Sequence, residues 1–177
     1  KISGRPEQNI SGKYEVDLTD AITASVKGGV AIESNRYSGR MAYDMNAGIG
    51  NNELTLSVSG ETVTITLDDV VGDSTQMETV AEDLESKINE ALNTALGTTE
   101  QTYVLVNQTE ASGASNDAFL IQSNFSGAEN SIEIDYSSSA AAYLGFNLSY
   151  DTITDGEDAK AEITFTPKDG GVYRTNT

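Results

Sequence analysis

Histidine, cysteine and tryptophan are all missing from the 177 residues, and proline occurs only twice. Each absence closes a class of function. Without Cys there is no disulfide framework, thiolate nucleophile or Cys-based metal site. Without His the usual general base and the commonest transition-metal ligand are gone, which excludes serine-triad and zinc chemistry in their common forms. An enzyme built on this chain would have to work with carboxylates, Tyr, Lys or a hard cation. Basic residues are scarce as well: Lys+Arg number 10 against 28 Asp+Glu, a net charge of -18. So acidic a surface repels phosphate backbones and anionic lipid, so neither nucleic acid nor a membrane surface is expected as a partner. No apolar run approaches the roughly 20 residues that span a bilayer, and no basic-then-apolar signal sequence opens the chain.

What the chain does have is one long amphipathic helix signal, Asp73 to Gly97. Met77, Val80, Ala81, Leu84, Ile88, Ala91, Leu92 and Ala95 fall on one face of a 3.6-residue period. Glu78, Glu82, Asp83, Glu85, Ser86, Asn89, Glu90 and Asn93 form the opposite, solvent face. Thr75 with Glu78 reads as a capping box, and Gly97 as the residue that ends the helix. A helix with one apolar stripe must lie on something, and the strands around it are the expected floor.

Those strands are written in period-2 alternation. Tyr14, Val16 and Leu18 predict a half-buried strand, continued by Ile22, Ala24 and Val26. Val30 to Ile32 is a short strand candidate. Leu54, Leu56, Val58 and Val63, Ile65, Leu67 flank Ser59-Gly60, which predicts a hairpin with its apolar residues on one face. After the helix come Tyr103 to Val106, Phe119 to Ile121 and, beyond a turn at Asn124 to Ala128, Ile132 to Tyr136. Ser137 to Ala142 reads as a helical turn or covering loop, and Ile163 with Phe165 as a strand that returns to the first lobe. The fold class is therefore α+β: mainly antiparallel β, with one helix on a sheet and two β-rich lobes. The expected division is a discontinuous lobe, residues 1–50 and 151–177, around an inserted β-β-α-β-β lobe, residues 51–150.

Candidate chemistry is sparse. Asp151 to Glu162 matches an EF-hand loop at its first, fifth, sixth and twelfth positions, through Asp151, Asp155, Gly156 and Glu162. Ile153 stands where an oxygen ligand belongs and no amphipathic helix flanks the loop, so an acidic solvent loop is the stronger reading. Asp68, Asp69 and Asp73 could pair as acid and base, but acidic residues gather before a helix because its dipole favours them. The eight tyrosines could include a sugar-stacking platform, although half-buried strand edges use Tyr in the same way. Asn9, Asn107, Asn124 and Asn147 begin N-glycan sequons, as expected by chance in a chain this rich in Asn, Ser and Thr. The expectation is no catalytic, cofactor-binding or metal residue.

One resemblance carries further. Val80-Ala81-Glu82-Asp83-Leu84, then Lys87-Ile88-Asn89-Glu90-Ala91, then Phe119 to Asn124 running into Ser126-Gly127-Ala128-Glu129-Asn130-Ser131-Ile132-Glu133-Ile134 resemble the IN motif of bacterial flagellar axial proteins (flagellins and hook proteins). That pattern is a strand pair, a helix ending in an Ile-Asn step, and strands around a Ser/Thr-Gly-x-x-Asn turn, and it covers residues 51–136. Gly12 to Leu18, Asp158 to Ile163 and Tyr173 to Thr177 resemble the opening and closing strands of the second domain of filament cap proteins, the second hook-associated family. Thr166-Pro167-Lys168 lengthens a turn that is short in that family. The resemblance implies a non-enzymatic structural part of an extracellular flagellum, exported through the flagellar secretion system. Its partners would be copies of itself and other axial subunits, contacted through regions outside this stretch, with a host surface or glycan as a further contact. The chain opens at Lys1 and holds no heptad segment, so it reads as outer domains cut from a longer protein. An adhesin or carbohydrate-binding module is the alternative, and a carboxylate-based enzyme the third class.

Overall fold

The computed structural model describes residues 12–29, 31, 34–35, 40–41, 53–67, 75–111, 117–149, 151–168 and 173–176. Among these residues thirteen strands and one helix run in the order β1 (Gly12–Thr19), β2 (Thr23–Lys27), β3 (Ser34–Asn35), β4 (Arg40–Met41), β5 (Glu53–Val58), β6 (Glu61–Thr66), β7 (Thr75–Gln76), α1 (Met77–Leu96), β8 (Val104–Thr109), β9 (Ala118–Ser126), β10 (Ile132–Ile134), β11 (Thr152–Thr154), β12 (Lys160–Pro167) and β13 (Tyr173–Asn176). Every ladder between these strands is antiparallel. The class is α+β, with the helix on sheet.

Two compact units divide the chain. The smaller joins Lys1–Ala21 to Asp158–Thr177, and the larger is Ile22–Glu157. In the smaller unit β12 lies between β1 and β13. Its returning strand pairs with β1 over eight positions, from Gly12 opposite Pro167 to Thr19 opposite Lys160. The alternation of Tyr14, Val16 and Leu18 places them on one face as expected. That face is not half-buried, however: the three side chains are 55%, 57% and 71% exposed. Period 2 says which side chains share a face, not whether anything covers it.

The larger unit holds every buried apolar side chain described, and all of them from Ala24 to Phe146 except Ala118 form one cluster. The β5–β6 hairpin forms as its alternation requires. Ser59 and Gly60 turn it with φ of 50° and 84°, the mirror-image two-residue turn whose twist suits a hairpin. β10 adds beside β5, completing one sheet. A second sheet has the order β11-β2-β9-β8, so Thr23 to Lys27, grouped with the first lobe by sequence, instead pairs with β9 across almost a hundred residues. β9 also runs on to Ser126, through the start of the expected turn at Asn124. β3, β4 and β7 make a small third ladder in this unit. Ala31 is buried outside any strand, with its N–H donated to the Asp117 carbonyl at 2.9 Å. Ser137 to Ala142 lies in a run of turns that carries buried Ala140, Ala141 and Leu144 and leads to buried Phe146.

α1 lies against both β6 and β8 and so touches both main sheets. Met77, Val80, Ala81, Leu84, Ile88 and Leu92 are its buried face. Thr75 does not open the helix, since its backbone pairs with Met41 in β7. Gly97 ends it as expected, at φ 66°. Thr98 N–H donates to the Asn93 carbonyl at 2.9 Å and Gly97 N–H to that of Thr94 at 3.4 Å, a Schellman closure.

The polar face holds the main surprise. Glu85, Asn89 and Asn93, one turn apart, are half-buried rather than solvated. β8 is the outer strand of its sheet, and these side chains take the place of a missing neighbour. Asn89 Nδ2 donates to the Val104 carbonyl at 3.0 Å, and its Oδ1 accepts from Tyr103 N–H at 2.7 Å and Val104 N–H at 3.0 Å. Glu85 Oε2 accepts from Val106 N–H at 2.8 Å. Asn93 exchanges bonds with Gln101, donating at 2.8 Å and accepting at 3.1 Å, and accepts the Thr98 hydroxyl at 2.8 Å. A buried amide left without a partner costs roughly 1–3 kcal/mol. Asn89→Ala strands two N–H groups and one C=O, so it is expected to cost about 3 kcal/mol. Equilibrium urea unfolding measures this, and a loss no greater than that of an exposed Glu82→Ala control would refute the assignment.

Candidate functional site

The EF-hand-like segment is not a loop. Thr152, Ile153 and Thr154 are strand β11, opposite Lys27, Val26 and Ser25, and Glu157 bridges Ile22. Asp151 Oδ1 is occupied by the Asn147 N–H at 2.9 Å. Glu162 stands in the smaller unit, in β12 opposite Asp17, while Asp151 and Asp155 belong to the larger. Among the described residues no three acidic side chains gather in a way that could hold a metal ion. Alternation of Thr152, Ile153 and Thr154 was the sequence signal for a strand, and it outweighs a motif missing one ligand. Asp68, Asp69 and Asp73 lie outside the described residues, as does Asn9.

Each tyrosine whose side chain is described packs within its own unit. Tyr14 stacks on Phe165 with ring centroids 4.6 Å apart. Tyr103 meets Phe125 edge-on at 6.3 Å and shares a 2.8 Å hydrogen bond with the Thr98 hydroxyl. Tyr136 and Tyr143 lean on the core. Tyr37, Tyr43 and Tyr150 are outside the described residues, and of Tyr173 only the backbone of β13 is described. Of the sequon asparagines, Asn107 is exposed on β8, Asn124 donates to the Thr102 carbonyl at 3.1 Å, and Asn147 accepts the Ser149 N–H at 2.9 Å. A shallow groove of about 450 Å³ runs between β6 and α1, lined by Val63, Ile65, Lys87, Glu90, Ala91 and Ala95. It offers a mixed apolar floor without paired carboxylates.

Two constellations do come together. In the first, Asn130 ties the Ser126–Asn130 turn to its surroundings. Its Nδ2 donates to the Ser126 carbonyl at 3.0 Å, its N–H to that of Gly127 at 3.0 Å, and its Oδ1 accepts the Ser59 hydroxyl of the hairpin at 3.1 Å. Gly127 has φ 122°, and a Cβ at Gly156 would run into the Gly127 carbonyl, so both positions need glycine. In the second, Asp151 sits beside Tyr136. Burial raises the Asp151 carboxyl above its ordinary value, against the lowering pull of the Asn147 N–H and the Tyr136 hydroxyl. Oδ2 is buried with no hydrogen-bond partner. Burial, with the neighbouring carboxylate, pushes the Tyr136 phenol up to about 12.

No protein-family model matches this chain, and no curated relative does. Solved structures do. The D2-D3 domains of the flagellar cap protein FliD from Serratia marcescens are similar at 16% identity over 100% of this chain and 83% of that one, with a TM-score of 0.49. FliD from Bdellovibrio bacteriovorus gives 12% identity over 94% and 79%, with a TM-score of 0.46. The D2-D3 domains of FliD from Escherichia coli give 14% over 98% and 78%, at 0.40. All three are flagellar cap proteins.

A carboxyl whose folded pKa lies above its unfolded value binds its proton more tightly in the native state. Stability therefore falls as pH rises from the unfolded value of 3.8 through the raised folded one, and the cost persists at neutral pH. Asp151→Asn keeps an oxygen for the Asn147 N–H and removes that cost. It is expected to raise the melting temperature at pH 7 and to flatten its slope across the acid range. A lowered melting temperature at pH 7 with an unchanged slope would contradict the assignment.

Proposed function

We propose that this chain forms outer, surface-facing domains of a bacterial flagellar axial protein of the filament-cap type, with a structural and non-catalytic role. The observation that carries this reading is the work done by the motif residues. Ile88 of the Ile-Asn step is fully buried beneath the sheets, while Asn89 supplies three hydrogen bonds to the adjoining strand. Asn130 of the Ser-Gly-x-x-Asn turn binds that turn to the hairpin. Residue types shared with a family pattern gain weight when each has a distinct structural duty, because such duties resist substitution.

On this reading the larger unit is an inserted outer domain, and the smaller one belongs to the stem that carries it. Its contribution is steric and electrostatic: strongly acidic domains held outside the cell. The other axial subunits it works with are contacted through segments beyond this stretch. A flagellum-tip adhesin would use the same body and add a surface contact.

Immunogold electron microscopy of intact cells, with an antibody raised to this chain, tests the proposal. Gold confined to filament tips is the expected result. Gold along the shaft or at the hook would keep the axial assignment but overturn the cap type, and cells whose flagella carry no gold would overturn both.

A further inference from the structure

We infer that the free edge of β1 is a self-association surface, which pairs antiparallel with β1 of a second copy about a two-fold axis. This rests on the geometry of the smaller unit and not on the flagellar reading.

β1 is the outer strand of its sheet, and no described strand lies on its far side. All eight of its residues are exposed and none is proline, and its register against β12 is unbroken, so of the devices that blunt a sheet edge only charge is present, in Lys13, Glu15 and Asp17. Half its backbone N–H and C=O groups therefore point outward from a regular, pairing-competent strand.

Charge selects the occupant. Along one face lie Lys13, Glu15 and Asp17, and Asp17 stands opposite Glu162 of β12, so Lys13 is at one end and an acidic pair at the other. Such a strand is complementary to itself when reversed. In the register centred on Glu15, Lys13 of each copy lands against Asp17 and its Glu162 neighbour in the other, and Glu15 meets its own counterpart. One like-charge contact is set against two attractive ones. Shifting the centre to Val16 instead opposes Glu15 and Asp17 twice; shifting it to Tyr14 keeps two attractive contacts, Lys13 against Glu15, but loses two of the seven pairs and leaves Asp17 and Leu18 without a partner strand.

The apolar face agrees with the same register. Tyr14 of each copy falls opposite Val16 of the other, a favourable aromatic–β-branched pair. Leu18, the most exposed of the three, falls opposite Gly12, where the Phe165 ring occupies the space a Cβ would take. Leu18 of one copy then covers Phe165 and the Tyr14 ring stacked on it in the other. Lys13 lies 4.0 Å from Glu15 within one chain, both well exposed, a surface contact too weak to hold it from a better partner. A two-fold contact of this kind is isologous and closes at two copies.

The test is sedimentation velocity on the whole chain, whose monomer mass is 18.8 kDa, up to millimolar concentration. A monomer–dimer equilibrium is expected. Lys13→Asp creates two like-charge contacts and weakens it about tenfold. The double variant Lys13→Asp with Asp17→Lys restores it, since the pair is reversed and kept. Because the chain has no cysteine, Glu15→Cys gives a single thiol at the two-fold axis, and mild oxidation should yield a covalent dimer. Far-ultraviolet circular dichroism on each variant separates loss of pairing from loss of fold. A monomer throughout, a dimer indifferent to both charge variants, or folded Glu15→Cys that does not cross-link would each overturn the inference.

Discussion

The open edge of β8 is the constraint on which the larger unit turns. A strand edge with unpaired amides is unstable against water entering the ladder and against pairing with other chains. Here a helix closes it, with side chains in place of a backbone. Glu85, Asn89 and Asn93 recur every four residues, so they rise along one line of α1 and meet the strand and its lead-in at three successive points. The same rotation puts Leu84, Ile88 and Leu92 on the core side. One helix thereby buries an apolar stripe, joins two sheets and seals an edge. Its length is set by that work, and the Schellman closure at Gly97 lets the chain turn straight into the segment that Asn93 grips.

This arrangement explains why the chain can be so acidic and still hold its shape. The buried layer is almost wholly apolar, with Asp117 and Ser123 the only buried polar residues described, and both engage backbone amides. Repulsion among surface carboxylates is spread over solvent, where screening limits it. Asp151 departs from that pattern. It is a partly desolvated carboxylate that closes a short loop at a cost.

The hairpin and the buried stripe of α1 were legible in the sequence because both are local. Apolar residues alternate on each side of Ser59-Gly60, and a 3.6-residue period carries Met77 to Leu92. The rest fails for physical reasons. Asn at a helical position looks the same whether it faces water or a strand edge, so Glu85, Asn89 and Asn93 were read as solvent-facing. Sequence order groups β2 with the first lobe because its partner β9 lies far along the chain, and pairing at that separation leaves no mark on local periodicity. Tyr14, Val16 and Leu18 show a face but not a cover. The EF-hand match failed where its own third position warned: Ile153 belongs to a strand alternation. Asn130 marks a turn in the sequence, but its reach to Ser59 spans 71 residues and leaves no local sign.

Closure of the β8 edge by α1 is the central claim, and amide hydrogen exchange at Val104 and Val106 tests it most directly. Both amides point away from β9, so only helix side chains protect them. The account predicts exchange as slow as for interior amides of β9 such as Ile121, requiring the whole unit to unfold. Exchange at the rate of an open strand edge, with Ile121 still protected, would contradict it.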